Sequence, residues 1–197
     1  MKYSNHEDLQ IIIVKPGATD LDEQGRIVGS LDVPLSESGE QQAKDAAAEL
    51  EGIKLKAVYC SPSLAAQQTA VQITLGTRVK VRVDANLKNM DHGLWHGKEI
   101  KELQSNQPKL FRQWEENPAS ICPPGGETTT ELLPRVDAML KTITRKHKTG
   151  TVVIVAPDPI ASIIAGRIDD QHEAPIMQSE TQCGSHETLS LSPGFAV

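Results

Sequence analysis

The stretch "IIIVKPGATD" (residues 11–20) joins a run of β-branched residues directly to Lys15-Pro16-Gly17. Such a run, closed by proline and glycine, reads as a buried strand that delivers a loop at its carboxyl end. In α/β sheets that end of the strands is where chemistry is sited. Yet neither Lys15 nor Pro16 is an obvious catalyst.

Downstream, strand-like and helix-like segments alternate, the pattern of βα units around a mostly parallel sheet. "SESGEQQAKDAAAELEG" (36–52) sets Ala43, Ala46, Ala47 and Leu50 at helical spacing, with Ser36 or Ser38 as N-cap and Gly52 just beyond the end. "LKAVYCS" (55–61) reads as a strand, followed by a helix that Ser61 can cap with Pro62 in its first turn. "RVKVRVD" (78–84) alternates as a strand, and residues 98–118 read as two short helices split at Pro108. We take 98–126 as a cap or lid inserted in a single domain spanning 1–197. A helical pattern resumes at Glu127 and runs towards His147, with a break or kink expected near Leu133 because Pro134 interrupts it. "TVVIVA" (151–156) is the strongest strand, "DPIASIIAGRI" (158–168) a capped helix, and "ETLSLS" (187–192) a last strand before an untethered tail. The fold class expected is α/β, with three α/β/α layers and a mostly parallel sheet.

The chain has 197 residues, 38% of them hydrophobic, enough for a sizeable core. A formal charge of −6 argues against a nucleic-acid footprint or a polybasic membrane patch. No stretch has the length of a signal h-region or a membrane span. Cys60, Cys122 and Cys183 are widely spaced and without a CxxC, so neither a disulfide framework nor a zinc site is indicated. A cytoplasmic protein with reduced thiols is expected.

Six ordered segments carry a resemblance: "KPGATD", "GRIVGSLDVPLSESGEQQA", "YCSPSLAAQQTA", "LKNMDHGLWHG", "PPGGE" and "VVIVAPDPIASII". Together they resemble the histidine phosphatase superfamily, which includes the cofactor-dependent phosphoglycerate mutases, and they cover Leu9 to Leu191. The resemblance implies the phosphoglycerate mutase-like fold. It also implies a site whose positions this sequence fills differently. The family's Arg-His-Gly-x-Thr loop, whose His takes the phosphoryl group, is here Lys15-Pro16-Gly17-Ala18-Thr19. A chain-internal proline has no lone pair to attack phosphorus and no N–H to donate. The phosphate-clamping Arg of Ser-Pro-x-x-Arg-Ala-x-Gln-Thr corresponds to Ala65, the proton-donating Glu to Asn89, and the second pocket His to Pro157. Lys15 keeps a charge without the planar fork of arginine. The resemblance thus implies a member with no catalytic residue at Lys15, Pro16, Ala65, Asn89 or Pro157.

Binding can outlive catalysis. Asp158 can cap the helix after the last long strand, and Pro159 removes a further donor from its first turn, so the helix end satisfies itself and repels phosphate. Each lost charge-assisted hydrogen bond costs roughly 1.5–3 kcal/mol. Lys15, Gly17, Thr19 and Ser61 are the candidate binding residues, although Thr19 and Ser61 also suit local capping or turn roles. No cofactor or metal is expected. Cys60, a thiol just before an expected helix terminus, is the candidate substitute nucleophile, set against a bland reading as a small residue packed at a strand end. His92 and His96 lie beside Asp91 but between glycines, which favours packing over metal binding. Trp95 is expected to pack under the pocket rim, and Glu127 to open a helix. Arg26, Arg112 and Arg135 are either surface ion pairs or cleft residues. No partner is assigned to His6, His147, His172 or His186.

Three functional hypotheses follow. The first is a pseudoenzyme that binds a ligand or protein partner, the second a residual or repurposed phosphatase or mutase acting through Cys60 or the histidine pair. The third is a structural or assembly role. Partners are expected to be an unknown ligand or protein, with no nucleic acid and no membrane.

Overall fold

The computed structural model describes residues 8–117, 119, 121–169 and 183–191. His6, His172 and the tail beyond Leu191 lie outside them. Strand β1 (Leu9–Val14) leads through a short helix α1 (Asp20–Glu23) and a long loop to α2 (Glu37–Glu49). Then come β2 (Leu55–Cys60), α3 (Leu64–Thr74) and β3 (Val81–Val83). Helices α4 (Ile100–Asn106), α5 (Pro108–Glu116) and α6 (Thr129–Lys146) precede β4 (Gly150–Val155), α7 (Ile160–Ile168) and β5 (His186–Ser190).

The five strands lie in the order β3-β2-β4-β1-β5. The first four are parallel, and β5 closes the edge antiparallel to β1. Period-two alternation sends side chains to two faces. Ile11, Ile13, Val152 and Ile154 bury against α6 and α7 through Val136, Leu140, Ile143 and Ile164. Ile12, Val14, Val58 and Val153 bury against α2 and α3 through Ala46, Leu50, Ala70 and Ile73. The three expected layers are therefore present. A third cluster, of Ile27, Trp95, Leu103, Phe111 and Trp114, lies under α4 and α5. Trp95 is its hub, packing against Phe111 and Trp114.

Four local expectations need correction. Helix α3 starts at Leu64 behind Ser63, not at Pro62, because the Ser61 amide donates to Val155 O and prolongs the sheet ladder. Strand β3 is three residues long, since it is an edge strand paired only with Val58–Cys60. Helix α6 passes through Pro134 without a break. Its buried stripe, including Leu132, Val136 and Met139, lies off the exposed proline, so the unpaired carbonyl faces water. Glu127 precedes that helix, whose capping box is Thr128 with Glu131.

Two glycines fix how α2 meets the loop after β1. A Cβ on Gly17 would stand 2.1 Å from Gly39 O, and one on Gly39 would stand 1.9 Å from Ala18 O. The obstacles are backbone, which cannot rotate aside. Gly39→Ala should therefore destabilise the protein by about 1–3 kcal/mol through overpacking, read as a lower urea midpoint; an unchanged midpoint would show that this approach does not constrain the fold.

Candidate functional site

A cleft of about 650 Å³ opens at the carboxyl ends of β1, β2 and β4. The loop after β1 contributes Lys15, Pro16, Gly17 and Thr19, the start of α3 contributes Ala65, and the chain after β4 contributes Pro157 and Asp158. Asn89 completes the set, whereas Ser61, the thiol candidate Cys60 and the pair His92 and His96 are not among the lining residues. Ser61 is fully buried and borders an adjoining depression instead. Val28, Leu31 and Val33 form an apolar wall, and Asp22 and Cys183 line the cleft as well.

The loop is held by side chains from the helices behind it. Gly17 N donates to Thr69 Oγ1 at 3.1 Å, and Ala18 N to Gln42 Oε1 at 2.8 Å. Thr69 Oγ1 in turn donates to Ala65 O, and Gln68 Oε1 accepts from Leu35 N. Thr19 forms a capping box with Asp22, whose Oδ2 accepts from both the Thr19 amide and its hydroxyl. Pro16 is buried, and its carbonyl accepts from Gly184 N.

Charge in the cleft is internally matched. Lys15 Nζ lies 2.8 Å from Asp158 Oδ2, with the lysine side chain 24% exposed and the carboxylate 8%. Asp158 Oδ1 accepts from Ser162 N at 3.2 Å and from Ser162 Oγ at 2.8 Å. Asp158 thus satisfies the first turn of α7, as expected, although Pro159 is the N-cap residue itself. Among the described residues Lys15 is the one cation of the lining; with Asp22 and Asp158 the formal charge of the described lining is −1. The arginines are engaged elsewhere: Arg26 with Glu99, Arg112 with Glu116, and Arg135 with Glu127 and the carbonyls of Asn86 and Lys88. Asn89 Oδ1 accepts from the Met90 amide. Glu127 Oε1 accepts from Asp91 N and so ties two loops together.

Of the two readings of Cys60, the packed residue at a strand end is the one observed. Cys60 ends β2, is fully buried and does not line the cleft; burial pushes its thiol up to about 11. It is therefore not the activated thiol that a helix terminus would create. Cys183, which sequence reasoning did not place, does line the cleft. Burial first, and then the negative charges of Asp22 and Asp158, push its thiol up to about 11 as well. No spacing signal could have linked Cys183 to the loop after β1, since β5 brings it there by pairing with that strand.

His92 and His96 flank a 3₁₀ turn. His96 Nε2 accepts from Ser30 N at 3.1 Å and His92 N at 3.2 Å, and the two rings fill the space beside Gly29 on the cleft wall. His92 packs on Trp114. Among the described residues no cluster of His, Cys, Asp and Glu could hold a metal ion. The pair supports the wall.

With the geometry in place, comparison with known proteins is informative. The model of the histidine phosphatase superfamily (branch 1) matches residues 11–191. Phosphoserine phosphatase 1 of Hydrogenobacter thermophilus is 32% identical over 148 residues, which span 75% of this chain and 70% of that protein. Some curated relatives are longer, and the chain spans 40% of their length. A mycobacterial glucosyl-3-phosphoglycerate phosphatase solved with VO3 superposes with a TM-score of 0.83 at 25% identity, covering 92% of each chain. Bacillus stearothermophilus YhfR superposes with a TM-score of 0.85 at 24% identity, over 95% of this chain and 93% of that one.

Buried His92 makes stability depend on pH. Burial first, and then the charge of His96, lower its imidazole to about 4. The unfolded chain, with an ordinary histidine near 6.5, binds more protons between these values, so stability is complete above the upper one and falls as the pH drops towards the lower. The loss should approach about 3 kcal/mol, measured by urea unfolding across that window, and His92→Phe should flatten it. An equally steep profile in the variant would assign the dependence elsewhere.

Proposed function

Because this chain belongs to the histidine phosphatase superfamily, its cleft stands where that family places phosphoryl chemistry, and we propose that it is a pseudoenzyme: it holds a ligand there without transferring phosphate. The observation that carries this reading is the Lys15–Asp158 pair at 2.8 Å. A carboxylate occupies the place at the α7 terminus where a phosphate oxygen would be received, and it pairs with Lys15, the one lining cation among the described residues. A phosphomonoester entering this cleft would have to displace a nearly buried carboxylate and then face both Asp22 and Asp158. Phosphoryl transfer rests on positioned positive charge, which the lining does not supply. Pro16 stands at the position of the family nucleophile and offers no lone pair. The apolar wall and the hydrogen-bonding groups of Thr19, Ser63 and Asn89 favour a small, largely uncharged ligand.

A second reading is favoured by the names of the relatives, which include phosphoserine and glucosyl-3-phosphoglycerate phosphatases. In it the chain is a repurposed phosphatase, and Cys183 is the one thiol placed to serve as nucleophile. Its raised pKa opposes that role, because the thiolate is the attacking form.

Hydrolysis of a generic aryl phosphate by the purified protein separates the two. We expect no turnover above buffer and no saturable binding of inorganic phosphate by calorimetry. Lys15→Arg combined with Pro16→His should not restore efficient activity, because Ala65, Asn89 and Pro157 remain. Saturable turnover abolished by Cys183→Ser would reject the pseudoenzyme and establish the thiol mechanism.

A further inference from the structure

The edge of the sheet opposite the cleft has a different character from the rest of the molecule. Strands β2, β3 and β4 are neighbours and parallel, so the segments that enter them lie side by side at their amino ends. Residues 53–56 carry Lys54 and Lys56, and residues 75–82 carry Arg78, Lys80 and Arg82. Residues 145–149 add Arg145, Lys146 and Lys148. These three segments contain no Asp or Glu and hold eight of the chain's 20 lysines and arginines. All eight are exposed, and none is paired with a carboxylate among the described residues.

Contacts tie the segments into one surface. Tyr59 Oη accepts from Arg82 at 2.9 Å and lies 3.0 Å from His147 Nε2, linking β3 to the end of α6. The Lys56 stem lies over Gly150. Burial, and then the charges of Arg82, Lys146 and Lys56, lower the His147 imidazole, which places those cations around it. Two aliphatic side chains project from the same edge: Ile53 is 40% exposed and Leu75 74%. Each sits beside a left-handed glycine, Gly52 and Gly76, that turns the chain sharply at the loop tip.

Cations ringing exposed aliphatic loop tips match a bilayer with anionic headgroups, where the charges meet phosphate and the aliphatics enter the acyl boundary. A nucleic acid would use the cations and leave Ile53 and Leu75 in water. Every tryptophan, tyrosine and phenylalanine among the described residues is buried, so there is no stacking platform for single strands. The overall charge of −6 does not oppose this docking, because the three segments themselves carry eight cations and no carboxylate, and a partner at this edge meets chiefly the charge within a Debye length of about 8 Å. We propose that this edge docks the protein peripherally on an anionic phospholipid membrane. The cleft, at the other end of the strands, then faces away from the bilayer. The net charge of the sequence concealed this by averaging over a segregated surface.

The test is co-sedimentation of the full chain with phosphatidylcholine vesicles, with and without roughly one-third phosphatidylglycerol. Binding should require the anionic lipid and fall steeply with added salt. Reversing charge at Lys54→Glu, Arg78→Glu and Lys80→Glu should weaken it about tenfold or more, and Leu75→Ser should weaken it severalfold with every cation in place. Far-ultraviolet circular dichroism and unchanged urea midpoints establish that the variants fold. Failure to bind anionic vesicles overturns the proposal. So does binding to duplex DNA that exceeds vesicle binding and is indifferent to Leu75→Ser, which would assign the edge to nucleic acid.

Discussion

The close backbone approach of Gly17 to Gly39 is the constraint on which the cleft depends. It lets the loop after β1 lie against the start of α2, so that Gln42 can receive the Ala18 amide and Thr69 the Gly17 amide. Once those two amides are committed, the loop has one course, and Lys15, Pro16 and Thr19 line the cleft as a consequence of it. The Lys15 side chain then reaches Asp158, and the carboxylate that receives it also satisfies the first turn of α7. Loop, helix terminus and charge are closed upon one another inside the protein.

This arrangement explains which parts of the family pattern the chain has kept. Gln68 and Thr69 of "SPSLAAQQTA" and Gln42 of "SESGEQQA" persist as hydrogen-bond partners of the backbone. Their loss would strand buried amides, each costing about 1–3 kcal/mol. Ala65, Asn89 and Pro157 carry no comparable structural debt in their side chains, since Asn89 Oδ1 binds only the next amide. A fold can therefore be retained in detail while the groups that face its cleft change, because the two sets of residues answer to different constraints.

The same distinction decides how far the sequence could be read. The buried β-branched runs "IIIV" and "VVIV" and the Ser36-capped run of alanines gave β1, β4 and α2, because each is fixed by local pattern. The start of α3 was misplaced since Ser61 has two suitors, the helix it can cap and the sheet edge that takes its amide. Of the break or kink expected at Pro134, the break does not occur, because the proline is exposed while Leu132 and Val136 keep the stripe buried. Among cleft residues, those on the loops after β1 and β4 were legible through the family pattern and the Asp158-Pro159 cap. Cys183 was not, because its position follows from the antiparallel pairing of β5 with β1, and antiparallel register cannot be read from a single strand.

Net charge is a coarse guide to partners for a related reason. A formal charge of −6 is a sum over a surface, and a partner meets only the part of the surface within its screening length. The topology determines which residues share that part. In a parallel sheet every crossover returns to the amino ends of the strands, so segments 53–56, 75–82 and 145–149, far apart in sequence, become adjacent. Their eight basic residues add there and outnumber the neighbouring carboxylates Asp8, Glu51 and Asp84. Tyr59 contributes to this by drawing Arg82 and His147 to one point, which fixes the end of α6 relative to the edge strand. The two ends of the same sheet are therefore electrostatically opposite: a cleft lining of −1 at the carboxyl ends, and eight cations without an interposed carboxylate at the amino ends. A dianionic ligand approaching this protein is drawn to the end away from the cleft. An uncharged ligand is drawn to neither, and its binding rests on the apolar wall of Val28, Leu31 and Val33.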